Sequence, residues 1–270
     1  AGDAESFGMM SGTSMASPHV AGAGALMKAL HDDWSDAEIQ SALMMTSKGG
    51  VLKEDASTDA DPFDVGAGRL DLTGAALAGL VLDETKANFE AADPAGGGDP
   101  TTLNLASLGN SQCLQECSWE RTFRNTTGEA VTWEISSTGD VTMAFDPVTF
   151  TIAAGATQVV EFTADVSGEA DDIWLFGEVM LTADADTLPD QHLPVAVLPT
   201  SGILPSLVEI HTRRNAGSQT VADVQAIEIT DLTVESFGLV QADVYDILLD
   251  EDPTYGDPYD DLDQVFFVDV

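Results

Sequence analysis

A run of small and apolar residues near the beginning of the chain is the feature that most constrains its fold. Residues 14–30 are almost entirely apolar or small. A helix that is apolar on all sides is normally buried, so this run predicts a buried helix. Pro18 fits because it falls in the first turn, where no hydrogen bond within the helix is lost. Gly22 and Gly24 lower helix propensity, and we expect them to permit close packing.

The next segment carries a helix start signal. In WSDAEIQSALMM, Ser35 and Glu38 form the Ser-x-x-Glu capping box, and Trp34 and Ile39 stand where a hydrophobic staple places its two apolar residues. This pattern predicts a second helix that begins directly after Ser35. We expect it to end near Gly49, because glycine commonly follows the last turn of a helix.

The hydrophobic pattern changes from helical to period two after residue 83. A Gly-rich turn and a short helix, predicted from about Thr73 to Leu80, close the first section, 1–83. Runs of alternating apolar residues follow, each bounded by Gly, Pro, Asn or Asp, which is typical of strands. Residues 84–200 therefore predict a seven-strand sandwich of the fibronectin or immunoglobulin kind. Residues 201–270 form a third section, acidic, rich in predicted strands and incomplete.

Two details of the predicted sandwich can be placed from the pattern. The loop at 153–156 separates two alternating runs in VTFTIAAGATQVVEFTADV, and we expect it to be a hairpin loop. Trp119, Trp133 and Trp174 are isolated from one another in the sequence. We expect all three to lie in the core rather than to form a binding platform.

The chain is strongly acidic, with 47 Asp and Glu against 9 Lys and Arg and a net charge of −38. Binding to nucleic acid or to an anionic membrane surface depends on cationic contacts to phosphate. No apolar run reaches the ~20 residues that span a bilayer. We therefore expect no nucleic acid partner and no membrane segment, and a solvated acidic surface that keeps the chain soluble.

No cofactor is evident in the sequence, and structural calcium is the one metal left open. Zinc sites need about four ligands, whereas the chain offers two cysteines and four scattered histidines. The acidic stretch at 250–263 supplies oxygen ligands of the kind that calcium takes, but it does not match the EF-hand pattern. A calcium site and a solvated acidic loop both fit this stretch.

Cys113 and Cys117, in CLQEC, are the two cysteines of the chain. They are either two unrelated thiols or a disulfide that closes a short loop, and we favour the disulfide. Because structural disulfides form in oxidising compartments, this pairing predicts a secreted or extracellular protein.

Ser14 stands at the start of the predicted buried helix. The unpaired N–H groups and the positive end of the helix dipole point towards this position, so an oxyanion formed beside Ser14 would be stabilised. The commonest role of a serine at such a position is that of a helix N-cap. The Gly-x-Ser-x-Gly turn of another class of serine hydrolases is not met, because Ala16 replaces its second glycine. The local pattern leaves both roles open, nucleophile and N-cap.

Three segments carry a resemblance to a known family. GTSMASPHVAG, Gly12 to Gly22, resembles without a break the active-site serine signature of the subtilases, the subtilisin-like serine peptidases. GAGRLDLTGAAL is similar to the segment that closes the subtilase catalytic domain. SLGNSQCLQECSWERTFRN resembles the start of the fibronectin type III-like domain that follows it in larger secreted bacterial members. The resemblance covers about residues 1–200 in order.

What the resemblance implies about the site centres on Ser14. It would be the acylated nucleophile, its backbone N–H would supply half of the oxyanion hole, and the substrates would be proteins or peptides. The family places the aspartate and histidine of the triad, and an oxyanion-hole asparagine, before this signature on an α/β fold. Residues 1–12 contain no match to them, and His19 has a structural role in the family. We therefore expect an internal part of a longer bacterial protein, secreted or at the cell surface, that is inactive alone.

The fold class expected from the pattern and the resemblance together is an α/β fragment followed by an all-β sandwich. The fragment, 1–83, would be the mostly helical end of a subtilisin-like catalytic domain. The leading functional hypothesis is a serine endopeptidase that hydrolyses peptide bonds through an acyl-enzyme on Ser14. The alternative is a non-catalytic extracellular β-sandwich module, for binding or structure, in which the peptidase segment is vestigial. The oligomeric state stays open.

Overall fold

Two β-sheets and a group of helices make up the structure. The computed structural model describes residues 12–200. The helices are α1 (Thr13–Leu30), α2 (Asp36–Met45), α3 (Pro62–Val65), α4 (Leu72–Ala76) and α5 (Lys86–Ala91), and short 3-10 turns lie at Pro94–Gly96 and Pro100–Thr102. The strands are β1 (Leu80–Leu82), β2 (Leu108–Cys113), β3 (Glu116–Asn125), β4 (Val131–Gly139), β5 (Thr142–Asp146), β6 (Thr149–Ile152), β7 (Thr157–Asp165), β8 (Leu175–Ala183) and β9 (Gln191–Pro199). The first sheet has the order β1-β3-β7-β5, and the second has the order β2-β9-β8-β4-β6.

Helix α2 begins where the capping signal predicts it. The Ser35 hydroxyl accepts a hydrogen bond from the Glu38 N–H (3.0 Å), and the Glu38 carboxylate accepts one from the Ser35 N–H (2.9 Å). Trp34 and Ile39 are both buried beside this cap. The predicted start of the second helix is confirmed, because chemistry within a few residues determines it.

Helix α1 forms over the predicted run, but the prediction that it is buried on all sides is wrong. Its two buried residues, Ala23 and Met27, lie four apart on one stripe, which packs in a core with α2 and α4. Three larger side chains expose half or more of their surface: Val20, Leu26 and Leu30. Apart from the backbone of α1 itself and the neighbouring residues in the chain, no described atom lies within 4 Å of the position that a Cβ would take on Gly22 or Gly24, so the close packing expected there is not observed within residues 12–200.

The expected fold class is wrong. The described residues hold more strand than helix, arranged in two sheets, whereas we expected a mostly helical α/β fragment before the sandwich. The difference starts after α4, which ends at Ala76 instead of continuing to Leu80. Leu80–Leu82 forms strand β1 and pairs with β3. A short apolar run next to a glycine fits a helix end and a buried strand equally well, and the pairing with β3 decides between them.

The two sheets share one hydrophobic core, which is compatible with the predicted β-sandwich. Phe123 and Phe162 from the first sheet and Trp133 and Leu181 from the second are fully buried in the same cluster. The described structure has eight strands, β2 to β9, within residues 84–200, where seven were predicted. Strand β1 is a further strand of the first sheet and comes from the section before residue 84. The fibronectin kind of the sandwich and the boundaries at residues 83 and 200 stay predictions. The third section, with the acidic stretch 250–263, lies outside the described residues.

The loop at 153–156 is not the predicted hairpin. Strand β6 pairs with β4 in the second sheet, whereas β7 pairs with β3 and β5 in the first. The loop still turns tightly, because the Ala156 N–H donates to the Ala153 carbonyl (3.0 Å) and Gly155 adopts a φ of 67°. Alternating runs identify the two strands, but alternation does not indicate which sheet each strand joins.

Strand β1 completes its hydrogen bonds with side chains. The backbone groups of successive residues in a strand point in opposite directions. The N–H and C=O of Val81 therefore point towards β3, whereas those of Leu80 and Leu82 point away from it. The buried Gln191 amide on β9 accepts from the Leu80 N–H (2.7 Å) and donates to the Leu80 carbonyl (2.8 Å). The Ser41 hydroxyl on α2 accepts from the Leu82 N–H (2.8 Å). Because unpaired backbone groups are costly in a protein interior, these side chains allow the edge of the first sheet to be buried.

Replacing Gln191 by leucine is expected to lower the free energy of unfolding of the full chain by about 2–4 kcal/mol. The substitution leaves the N–H and the carbonyl of Leu80 buried without a partner, and each such group costs about 1–3 kcal/mol. Urea unfolding followed by circular dichroism measures this loss. Gln112→Leu, at an exposed position on β2, is the matched control and should change stability by less than about 0.5 kcal/mol. Equal losses in the two variants would contradict the role of Gln191.

Gly79→Ala is expected to destabilise the chain by about 1–3 kcal/mol, the usual cost of overpacking a core. A Cβ at this position would lie 2.8 Å from Cζ2 of Trp133 and 3.0 Å from Cδ1 of Leu188. Trp133 is fully buried, so its ring can move aside only by displacing its core neighbours. Gly128→Ala is the control, because no described atom lies within 4 Å of its added Cβ. Thermal denaturation compares the variants, and equal midpoints would show that the space around Gly79 is not restrictive.

Candidate active site

Ser14 is the second residue of α1, and it is exposed. The N-cap is Gly12, with a φ of 135° that favours glycine. The N-cap interpretation of Ser14 is therefore wrong. The N–H groups of Met15 and Ala16 both bond to the Gly12 carbonyl (3.0 and 3.2 Å), whereas no hydrogen bond joins the Ser14 N–H to an acceptor in the described part of the chain.

The electrostatic setting of Ser14 favours a developing negative charge. Helix α1 is 18 residues long, and its first turn contains no acidic residue that would neutralise the positive end of its dipole. A hydroxyl at the second position of such a helix lies beside backbone N–H groups that have no partner within the helix. The arrangement can therefore stabilise an oxyanion bound next to Ser14.

The ring nitrogens of the described histidines form hydrogen bonds with groups other than Ser14. His19 Nδ1 bonds to the Met15 carbonyl one turn back along α1 (2.5 Å). His31 stacks on Trp34, with ring centroids 3.9 Å apart, and its Nε2 lies 3.2 Å from the carbonyl of Ala76. His192 lies between the helices and the second sheet. No hydrogen bond joins a histidine to Ser14 within residues 12–200, and His211 lies outside them.

Comparison with known proteins connects the segment around Ser14 to one family. Residues 3–68 match the family model of the subtilases, peptidase S8. The subtilisin-like protease SBT2.6 of Arabidopsis thaliana is 30% identical over 217 residues, which cover 66% of this chain and 26% of that protein. SBT1.6 of the same plant is 45% identical over 89 residues, which cover 31% of this chain and 12% of that protein. These matches support the assignment of this segment to the subtilase family.

The matches cover a limited part of the relatives. The chain spans about a quarter of the length of SBT2.6 and about an eighth of that of SBT1.6. One solved structure, the ASH / PapD-like domain 7 of human CEP192, aligns with 34% of this chain and 83% of its own at 13% identity and a TM-score of 0.28. A likeness at that TM-score adds nothing to the assignment of the fold.

The cysteine pair of this subtilase-like chain is confirmed as a disulfide between Cys113 and Cys117. Inside the closed loop, Gln115 adopts a φ of 57°, and its carbonyl accepts a hydrogen bond from the Val166 N–H (2.7 Å). The described residues contain no group of three or more His, Cys, Asp or Glu side chains that could hold a metal ion. No described helix is both long and apolar enough to cross a membrane.

A serine, a histidine and a glutamate meet where the end of α2 contacts the second sheet, and we name this set the polar junction. Ser47 Oγ lies 3.1 Å from His192 Nε2, and His192 Nδ1 hydrogen-bonds to the Glu178 carboxylate. The order of these contacts is that of a Ser-His-acid triad. Sequence reasoning missed this set, because its members are up to 145 positions apart and none stands in a recognised motif.

The hydrogen bonds of the polar junction are those of a structural connection. Ser47 Oγ lies 2.6 Å from the Ala67 carbonyl and 2.8 Å from the Met44 carbonyl, and a hydroxyl that donates to a carbonyl is not activated by a base. His192 Nε2 lies 3.1 Å from the Met44 carbonyl as well. His192 is buried, which leaves no room for a substrate at its ring. The polar junction therefore ties α2 and the Gly-rich turn after α3 to β8 and β9.

An ion pair makes a second connection between the helices and the sheets. Arg124 Nε on β3 lies 2.5 Å from Oε1 of Glu38 on α2. The other oxygen of the same carboxylate accepts the hydrogen bond of the α2 cap. Glu38 is buried, and its ionised carboxylate is satisfied by a cation and a backbone N–H, as a buried charge requires.

We expect the stability that Glu178 contributes to be lost in acid. The hydrogen bond from His192 lowers the pKa of Glu178 below its ordinary value of about 4.5, against the opposing effect of burial. A carboxyl with a lowered folded-state pKa contributes stability that is fully present above its unfolded pKa and is lost as the pH falls through the folded value. The difference in unfolding free energy between the chain and Glu178→Gln should therefore shrink as the pH falls below about 4.5.

Urea unfolding between about pH 7 and pH 3 measures that difference. Glu134→Gln, at an exposed position on β4, is the matched control, because it removes one carboxylate charge from the same sheet without touching the polar junction. A Glu178→Gln difference that stays constant over this range would show that the polar junction does not depend on the ionised carboxylate.

Proposed function

We propose that this chain carries the nucleophile of a subtilisin-like serine endopeptidase, and that the nucleophile is Ser14. The observation that carries the proposal is the unbroken serine signature, Gly12 to Gly22, inside the residues that match the subtilase family. The exposed position of Ser14 in the first turn of α1 supports it.

The chemistry of this proposal follows from the position of Ser14. Its Oγ attacks the scissile carbonyl while a histidine removes the hydroxyl proton. The oxyanion that forms accepts a hydrogen bond from the Ser14 N–H, at the positive end of α1. The protonated histidine then gives its proton to the leaving amine, and water hydrolyses the acyl-enzyme.

We propose that the other members of the triad come from sequence before Ala1 in the complete protein, as the resemblance to subtilases implies. The described histidines are engaged elsewhere, which supports this origin. Helix α1 supports it too, since Val20, Leu26 and Leu30 are large apolar side chains that stay half or more exposed and that the rest of a catalytic domain would cover. The chain alone is then expected to be inactive.

We also propose a secreted or extracellular location, with proteins or peptides as substrates and a fibronectin type III-like sandwich after the peptidase segment. The disulfide between Cys113 and Cys117 supports the location, because such bonds persist in oxidising compartments. The bacterial source stays a prediction from the resemblance.

A fluorophosphonate probe, which labels activated serines, tests the nucleophile in the complete protein. We expect one labelled peptide, containing Ser14, and peptide hydrolysis that falls at least about 10³-fold in Ser14→Ala. Ser17→Ala is the matched control, because Ser17 is exposed one turn later on the same helix. This variant should keep both labelling and hydrolysis.

Two outcomes would contradict parts of the proposal. A folded complete protein that is labelled at no serine would favour the alternative hypothesis, a non-catalytic β-sandwich module with a vestigial peptidase segment. Labelling of Ser14 in the isolated chain would instead show that a base within residues 1–270 activates it. The origin of the triad before Ala1 would then be wrong.

A further inference from the structure

Three aromatic side chains meet at the surface instead of filling a core. Phe63 on α3 contacts Trp174, which precedes β8, and Phe176 on β8, with ring centroids 4.7 and 5.2 Å apart and planes nearly perpendicular. Phe63 is 61% exposed, and the other two rings are partly exposed. The expectation that Trp174 lies in the core is therefore wrong, whereas Trp119 and Trp133 are buried as expected.

These rings form a continuous patch that exists only in the folded chain. We define the aromatic surface as Phe63, Trp174 and Phe176, whose rings contact one another through Phe63. Position 63 belongs to the helical section and positions 174 and 176 to the sandwich, so folding brings together residues that are far apart in sequence. Grouped exposed aromatic and aliphatic side chains are typical of interaction sites, since isolated ones are the norm elsewhere on a surface.

Acidic residues adjoin the segments of the aromatic surface. Asp61 and Asp64 lie on either side of Phe63 in the sequence. Lys53 Nζ lies 3.1 Å from Oδ2 of Asp61 and 2.8 Å from Oδ2 of Asp64, so this lysine is already paired. Asp172 precedes Ile173 in the chain and is exposed. The Asp140 N–H donates to the Phe176 carbonyl (2.8 Å), which brings the backbone of a further acidic residue next to that of Phe176. Acidic residues therefore adjoin both segments of the aromatic surface, at positions 61 and 64 next to Phe63 and at position 172 before Trp174.

We propose that the aromatic surface binds a cationic segment of another protein, in which arginine or lysine alternates with apolar side chains. The apolar side chains would pack on the rings, and the cations would contact ring faces and the adjoining carboxylates. A second copy of this chain is a poor occupant, because each copy carries a net charge of −38 and like charges repel. This binding site does not depend on the role of Ser14.

A fluorescence titration of the full chain tests the proposal directly. Trp34, Trp119 and Trp133 are buried, so a change in tryptophan emission on binding reports on Trp174. The probe is a peptide of about twelve residues in which arginine and leucine alternate. We expect saturable binding that weakens as salt is added, and no binding of the same peptide with glutamate in place of arginine.

The matched variants are Phe63→Ala and Phe89→Ala. Phe89 on α5 is exposed to a similar extent and also has an acidic neighbour, Glu90. Phe63→Ala is expected to weaken binding of the cationic peptide about five- to tenfold, the range of a lost aromatic anchor and cation–π contact. Phe89→Ala should leave the affinity unchanged. Circular dichroism of both variants checks that each is folded, and Phe63→Leu, which keeps the apolar contact, should give an intermediate loss.

Three results would overturn the proposal. Equal affinities of Phe63→Ala and Phe89→Ala would mean that the peptide binds to the acidic chain without using the aromatic surface. Equal binding of the glutamate peptide would remove the role of the adjoining carboxylates. Sedimentation that shows self-association of the chain, abolished in Phe63→Ala, would assign the surface to a second copy instead.

Discussion

Strand β1 is held partly by hydrogen bonds from side chains outside its own sheet. The attachment of the helices to the sheets depends on these hydrogen bonds. One side of the strand pairs with β3 in the first sheet. The other side is satisfied by Gln191 from the second sheet and by Ser41 from α2. A segment of three residues thus connects both sheets to the helical section. Loss of a buried partner costs more than an average hydrogen bond contributes, because the group left behind keeps its full desolvation penalty.

The ion pair and the polar junction act in the same way at two other points of this interface. Glu38 on α2 reaches Arg124 on β3, and Ser47 after α2 reaches His192 on β9. Hydrogen bonds and ion pairs of this kind require particular distances and angles, whereas the hydrophobic effect is non-directional. Together with β1 they hold α2 in one orientation against the sandwich. Helix α1 then packs on α2 and α4 through Ala23 and Met27, and its opposite face, with Ser14 at one end, stays open.

The features that the sequence predicts well are those that a few neighbouring residues determine. The start of α2 depends on Ser35 and Glu38, and the disulfide joins cysteines four positions apart.

The predictions that are wrong concern residues whose structure depends on distant partners. Leu80 belongs to a strand rather than a helix because of pairing with β3 and with Gln191, 111 positions away. The alternation around 153–156 marks two strands, yet their partners place them in different sheets. Around Ser14 a long motif pointed to the residue, but neither periodicity nor motif could reveal the polar junction.

The two serines of interest show why contact geometry alone does not identify a nucleophile. Ser47 has the contacts of a triad, yet carbonyl oxygens at 2.6 and 2.8 Å compete for its proton, and the neighbouring histidine is buried. Ser14 has no described base, yet it is exposed in the first turn of an 18-residue helix. A nucleophile needs a base that takes its proton, donors for the oxyanion and room for the substrate. Another segment of the protein can supply the base that Ser14 lacks. The Ser47 hydroxyl, in contrast, bonds to carbonyl oxygens inside a packed interface, and it can lose those hydrogen bonds only if the interface opens. Ser14 is therefore the serine that we propose as the nucleophile, although Ser47 has the more complete set of neighbours.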